Sequence, residues 1–122
     1  MGTLDGKVVL ITGATGGIGR AAALALAEMG PELVLLCRNP EKGEETRRTI
    51  ARETGNEKTS LLVCDLSSQR QIREAAADFL AAGKPLHVLL NNAGVLELRR
   101  EDTEDGIERT WAVNHLAYFL LT

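Results

Sequence analysis

Residues Thr12 to Gly19 read "TGATGGIG", between the apolar run Lys7 to Ile11 ("KVVLI") and the Ala/Leu-rich run that starts at Arg20 ("RAAALALAEMG"). Glycine loses more backbone freedom on ordering than any other residue, so four of them in eight positions between two regular segments need a reason. A strand-to-helix turn supplies one. Without Cβ atoms the backbone can come close to a bound diphosphate, and the free N–H groups and dipole of the following helix face its negative charge. Gly13, Gly17 and Gly19 are the positions that matter for this approach. The spacing G-x-x-x-G-x-G differs from the G-x-G-x-x-G of other dinucleotide turns, because Thr15 fills the second glycine position. It is no P-loop either, since no Lys follows at the required place.

Outward from that turn, short apolar runs alternate with longer segments of helical period, without repeats or low-complexity tracts. Lys7 to Thr12 reads as a buried strand and Gly17 to Met29 as a helix stopped by Gly30 and Pro31. "ELVLLC", Glu32 to Cys37, is a second strand. Pro40 to Thr54 is a solvated amphipathic helix, with Pro40 in its first turn and Gly55 closing it. Thr59 to Cys64 is the third strand. Ser67 or Ser68 caps a helix to Ala82 with Gly83 as its stop, and Leu86 to Leu90 is the fourth strand. A last helix is expected from about Thr103, followed by the acids Glu104 and Asp105, running apolar to Thr122. Uniformly apolar strands joined through helices belong to a parallel sheet covered on both faces, so the expected fold is α/β. It is a doubly wound, Rossmann-like parallel sheet, incomplete at about four βα units, binding ligand at the carboxyl ends of its strands.

Composition narrows the function classes. The chain has 122 residues, 44% apolar and 25% charged, enough for one domain with a real core. A net charge of −3 with scattered basic residues gives no footprint for nucleic acid. No window approaches the roughly 20 apolar residues of a membrane helix, and "MGTLDG" lacks the features of a signal peptide. Cys37 and Cys64 form neither a metal-ligand spacing nor a disulfide framework; they read as buried thiols in a reducing, cytoplasmic compartment, and no metal is expected. His87 and His115 have no nucleophile-and-acid arrangement beside them and read as structural. "ELRREDTEDGIE", Glu97 to Glu108, reads as solvated surface, and Trp111 and Phe119 as one packing face of the last helix.

Four ordered motifs resemble those of the short-chain dehydrogenases/reductases over nearly the whole chain. Thr12, Gly13, Gly17, Ile18 and Gly19 match the family's "TGxxxGIG"; Asp65-Leu66 looks like its adenine-contacting pair after the third strand. Asn91, Asn92, Ala93 and Gly94 reproduce "NNAG", and Asn114 in "WAVNHLAYFLLT" corresponds to the helical Asn of the catalytic tetrad. Within the family, "CRN", "NNAGV" and "VNHLAYFLLT" are most similar to the retinol-dehydrogenase-like branch, although Ala117 replaces the usual Gly. The resemblance implies a cofactor site made of Gly13, Thr15, Gly16, Gly17, Ile18, Gly19, Arg38, Asp65, Leu66, Asn91, Ala93 and Gly94, with Asn114 as the one catalytic candidate.

The end of the second strand bears on cofactor choice. An acid there would hold the ribose hydroxyls of NAD; Cys37 stands there instead, followed by Arg38, whose guanidinium suits a 2′-phosphate. NADP is therefore expected rather than NAD, although Gly16 stands where many similar members carry a second basic residue. Family chemistry also needs a Tyr, a Lys four residues later and a Ser. The one tyrosine, Tyr118, is followed at that distance by Thr122 and reads as a core or interface residue, so none of the three is assignable. The expectation is thus an NAD(P)-binding domain over residues 1–122, truncated before the catalytic Tyr/Lys segment. It would be part of an oxidoreductase moving hydride between the nicotinamide and a small carbonyl or alcohol substrate. A non-catalytic dinucleotide-binding or interaction module is the alternative. In the family the last helix often packs on a second subunit, which leaves a homodimer open.

Overall fold

The computed structural model describes residues 2–122. Four strands, β1 (Val8–Thr12), β2 (Glu32–Cys37), β3 (Thr59–Val63) and β4 (Val88–Leu90), form one parallel sheet in the order β3-β2-β1-β4. Between them run α1 (Gly17–Ala27), α2 (Pro40–Thr54) and α3 (Gln69–Ala81). After β4 come α4 (Arg109–Trp111), a π-helical turn (Ala112–Leu116) and α5 (Ala117–Leu121), which follow one another without a break.

Alternation along the strands divides the core in two, because successive side chains leave a strand on opposite faces. Val9, Ile11, Leu33 and Leu35 pack with Ala23, Ala27 and Ile50, on the face covered by α1 and α2. Val8, Leu10, Val34 and Leu36 pack with Ile72, Ala75, Val113 and Ala117, on the face covered by α3 and the last helix. Both faces of the sheet are therefore buried, which is why β1 and the last five residues of β2 are apolar or buried without interruption. This is the doubly wound, Rossmann-like fold.

Several bounds differ from those expected. α1 ends at Ala27 rather than Met29, β3 at Val63, and β4 begins at Val88, two residues after Leu86. The N-cap of α3 is Ser68, whose Oγ accepts from Gln71 N at 3.2 Å. The largest correction concerns the last helix, which starts at Arg109 and not near Thr103. Thr103 opens a tight turn instead: Gly106 has φ +72 and its N–H donates to Thr103 O at 2.9 Å, and Thr103 N donates to Ile107 O at 2.8 Å. The helix cap is Glu108, whose carboxylate accepts from Thr110 N at 2.7 Å and Trp111 N at 2.9 Å. Trp111 and Phe119 are not packed in the core either; they are 53% and 79% exposed, and Trp111 stacks on His115 with ring centroids 4.4 Å apart.

Candidate cofactor cleft

The turn after β1 is built around Gly13, which has φ +72 and lies against Ala93: a Cβ there would come within 2.7 Å of Ala93 Cα. Buried Thr12 ties the two loops together, its Oγ1 accepting from the N–H groups of Asn92 and Ala93, both at 3.0 Å. Asn92 returns the contact by donating Nδ2 to Gly13 O at 3.2 Å. Gly19 is buried beneath this knot, with no room for a side chain between Gly13 O and Asn92 Nδ2. The β1 turn and the NNAG loop are thus one unit, and Asn92 is a member of it that sequence reasoning did not single out beyond its motif.

Gly16 and Gly17 present the other side. Gly16 is the N-cap of α1, no side chain caps that helix, and Cβ atoms at either position would meet nothing within 4 Å. The first N–H groups of a helix have no partner within it, so this open N-terminus offers donors and a positive dipole end to an anion. Ile18 is 83% exposed beside it.

A cleft of about 170 Å³ opens over the carboxyl ends of β1, β2 and β3. Of the expected cofactor residues, Gly13, Thr15, Arg38, Asp65, Leu66, Ala93 and Gly94 line it. Gly16, Gly17, Ile18 and Gly19 are not in its walls; they form the α1 N-terminus and the packing below it. Asn91 is also outside, donating Nδ2 to Thr122 Oγ1 at 3.2 Å, while its Oδ1 is buried without a protein partner. Asn114 does not line the cleft but clamps a residue that does. Its Oδ1 accepts from Val95 N at 2.8 Å and its Nδ2 donates to Val95 O at 2.7 Å, both from within the π-helical turn. The hydroxyl of Tyr118 donates to Ala93 O.

Charge in the cleft is mixed. Burial pushes the Asp65 carboxyl up, but Ser67 N and Oγ donate to its Oδ1 at 2.9 and 2.7 Å. With the Arg109 and Arg38 charges nearby, these hold it below the usual Asp range. Cys37 and Cys64 are both buried free thiols in the cleft wall; burial raises each, Cys64 to about 11 with the Asp65 and Glu74 charges adding to the shift. Arg109, also in the wall and paired with Glu97 at 3.2 Å, went unnoticed in the sequence because it lies 44 positions from Asp65. Its one legible signal is its place one turn before Val113 on the same helix face.

His87 is structural: its Nδ1 accepts from Val8 N at 2.9 Å, ahead of β4. Among the described residues no group of three or more His, Cys, Asp or Glu side chains gathers as a metal site would require. None of the described helices is long and apolar enough to cross a membrane.

Residues 7–122 match the family described as short chain dehydrogenase. Human retinol dehydrogenase 11 is 48% identical over 119 residues, covering 98% of this chain and 37% of that protein. A metagenomic short-chain oxidoreductase solved in complex with NADP is similar at 36% identity and a TM-score of 0.83, covering 97% of this chain and 54% of its own. An NAD+-bound xylitol dehydrogenase is similar at 32% identity and a TM-score of 0.80, over 98% of this chain and 46% of its own. The chain therefore spans a little over a third of the length of the curated relative.

Proposed function

The chain belongs to the short chain dehydrogenase family, and from that premise we propose that it is the cofactor-binding portion of an NADP-dependent oxidoreductase acting on a carbonyl or alcohol. The observation that carries this reading is the uncapped N-terminus of α1 beside a cleft lined by Gly13, Arg38, Asp65 and Gly94. The free N–H groups at the start of α1, around Gly16 and Gly17, would receive a diphosphate, and Asp65-Leu66 would border the adenosine half. When bound, the nicotinamide supplies a hydride donor or acceptor. Thr12, Asn92, Asn114 and Tyr118 hold the Asn91–Val95 loop in place around that half of the cleft. The relative named for retinol points to an apolar primary alcohol or its aldehyde as the substrate class.

Arg38 is exposed at the end of β2, in an open pocket with Asn39, Pro40 and Glu41 at the start of α2. A guanidinium there pairs with a 2′-phosphate, and the helix N-terminus adds a favourable dipole. Titration of NADPH and NADH tests this. Arg38→Asp is expected to weaken NADPH by a few kcal/mol at most and to improve NADH relative to it. An unchanged ratio of the two affinities would remove the NADP assignment.

A second reading has its own support. The 122 residues contain one tyrosine, its hydroxyl is given to Ala93 O, and no Lys stands four residues after it. On that reading these residues bind dinucleotide without turnover. Both readings expect residues 1–122 alone to bind NADPH without oxidising it. NADPH oxidation across a panel of aldehydes and ketones by the chain joined to a downstream Tyr-x-x-x-Lys segment decides for the first, and its failure there for the second.

A further inference from the structure

Arg109 is the one long cation in the cleft wall that neither the phosphate turn nor the end of β2 accounts for. It is the first residue of α4, and its position is fixed from several sides. Its N–H donates to Glu101 O at 2.8 Å, Glu108 caps the helix beside it, and an antiparallel bridge joins Asp102 to Glu108. The side chain is only 21% exposed, and its Nε lies 3.2 Å from Glu97 Oε1. It lines the same cleft as Asp65, Leu66 and Val113, the last of these one helical turn further along.

Resting on the dinucleotide reading, we propose that Arg109 is a specificity-determining residue for the adenosine half of the cofactor. Its guanidinium plane, held by Glu97, forms the wall of the compartment that receives the purine. A guanidinium is planar, delocalised and weakly hydrated, so with one edge paired to a carboxylate its faces stay free to lie against an aromatic ring. Glu97 offsets part of its charge, which still reaches Asp65, and with one edge so paired the group offers the cleft a flat, oriented surface. Asp65, in the same wall, is hydrogen-bonded by Ser67 N and Oγ, and the Arg109 charge acts on it without a direct pair.

The shape of the group, not its charge, is what the proposal depends on, and Lys separates the two. Calorimetric titration of adenosine 2′,5′-bisphosphate and of NADPH into the wild-type chain, Arg109→Lys, Arg109→Met and Glu97→Gln is the test, with thermal unfolding recorded for each. Arg109→Met is expected to weaken the adenosine bisphosphate about tenfold, and Arg109→Lys to weaken it nearly as much. Glu97→Gln, which releases the plane but keeps the guanidinium, should cost severalfold. If Arg109→Lys binds as the wild type does, the contact is a point charge and the proposal is overturned. If both Arg109 variants melt lower but bind unchanged, Arg109 only latches residues 97–101 to the helix, which overturns it too. A wild-type chain that binds neither ligand removes the dinucleotide reading itself; a wild-type chain that binds both, with variants that match it, removes only the role of Arg109.

Discussion

A Cβ built on Gly19 would lie 2.0 Å from Gly13 O and 2.3 Å from Asn92 Nδ2, whereas one on Gly17 would meet nothing within 4 Å. Two glycines of one motif therefore answer to different demands. Gly19 is needed for the fold, because the two loops close over it. Gly17 has φ +55, so a side chain there is strained by roughly 1–2 kcal/mol, but the space above it is open, as a ligand approaching the helix would require. Gly17→Val should thus lose NADPH binding with only a modest fall in melting temperature. Gly19→Ala should lower stability by about 1–3 kcal/mol or more, through overpacking. Fluorescence titration together with thermal unfolding reads both, and undiminished NADPH affinity in Gly17→Val would sink the diphosphate assignment. Cys64 makes a prediction of its own. Its thiol is pushed up to about 11, above the ordinary cysteine range, chiefly by burial. Below about pH 9 both folded and unfolded chains carry the thiol; as pH rises towards 11 only the unfolded chain ionises, so this contribution to stability is lost. Urea midpoints should fall between pH 8 and pH 10.5 by more in the wild type than in Cys64→Ala. Equal falls would show that the thiol is not protected.

At the scale of elements, β2 and α2 show what local chemistry makes legible. The run "ELVLLC" is buried from Leu33 to Cys37, Pro40 occupies the first turn of α2, and Gly55 closes that helix with φ +73. Each of these is a short-range signal. Asn39 completes the set as N-cap, its Oδ1 accepting from Glu41 N at 2.9 Å and Lys42 N at 3.2 Å. Because Asn39 follows Arg38 directly, the cap also fixes where that cation leaves the sheet. Asn39→Ala is expected to cost about 0.5–2 kcal/mol of stability, and to weaken NADPH more than NADH by loosening Arg38. Equal losses for the two cofactors would show that the cap acts on the helix alone. The last helix shows the opposite case. Thr103 followed by two acids carries the composition of a helix start, yet Gly106 three residues on breaks it, and Glu108 takes the cap. That glycine was a readable signal. The π-helical turn from which Asn114 clamps Val95 was not, because the two residues meet 19 positions apart in sequence, across the fold. The same limit hid Arg109, whose role in the wall arises from tertiary placement and from no motif.

For the whole molecule, the order β3-β2-β1-β4 leaves β4 at an edge of the sheet. Among the described residues it pairs with β1 alone and reaches the helices only through partly buried Leu89 and Leu90, whereas α2 and α3 both contact β3 at the opposite edge. The apolar side chains there are poorly covered: Val88 is 40% exposed and Leu86 43%. An apolar groove lined by Phe79, Leu80, Leu86, Leu89 and Leu121 runs alongside. Nearby, Asn91 Oδ1 is buried without a protein donor. An edge strand offers unpaired N–H and C=O groups, and with an apolar groove beside it this edge templates association unless something covers it. The 122-residue chain alone is therefore expected to associate in solution through β4, in preference to the exposed Trp111 and Phe119 face of the last helix. Two substitutions distinguish the routes. Val88→Lys places a charge on the edge strand and should raise the monomer fraction in multi-angle light scattering. Phe119→Ser should leave the distribution unchanged. If the wild-type chain is a monodisperse monomer across micromolar concentrations, the edge is not a template, and its exposed valine and leucine are simply tolerated. If instead Phe119→Ser alone dissolves the associated form, the interface lies on the helix, and the orphaned Asn91 carbonyl is left without the partner that a paired β4 would bring towards it.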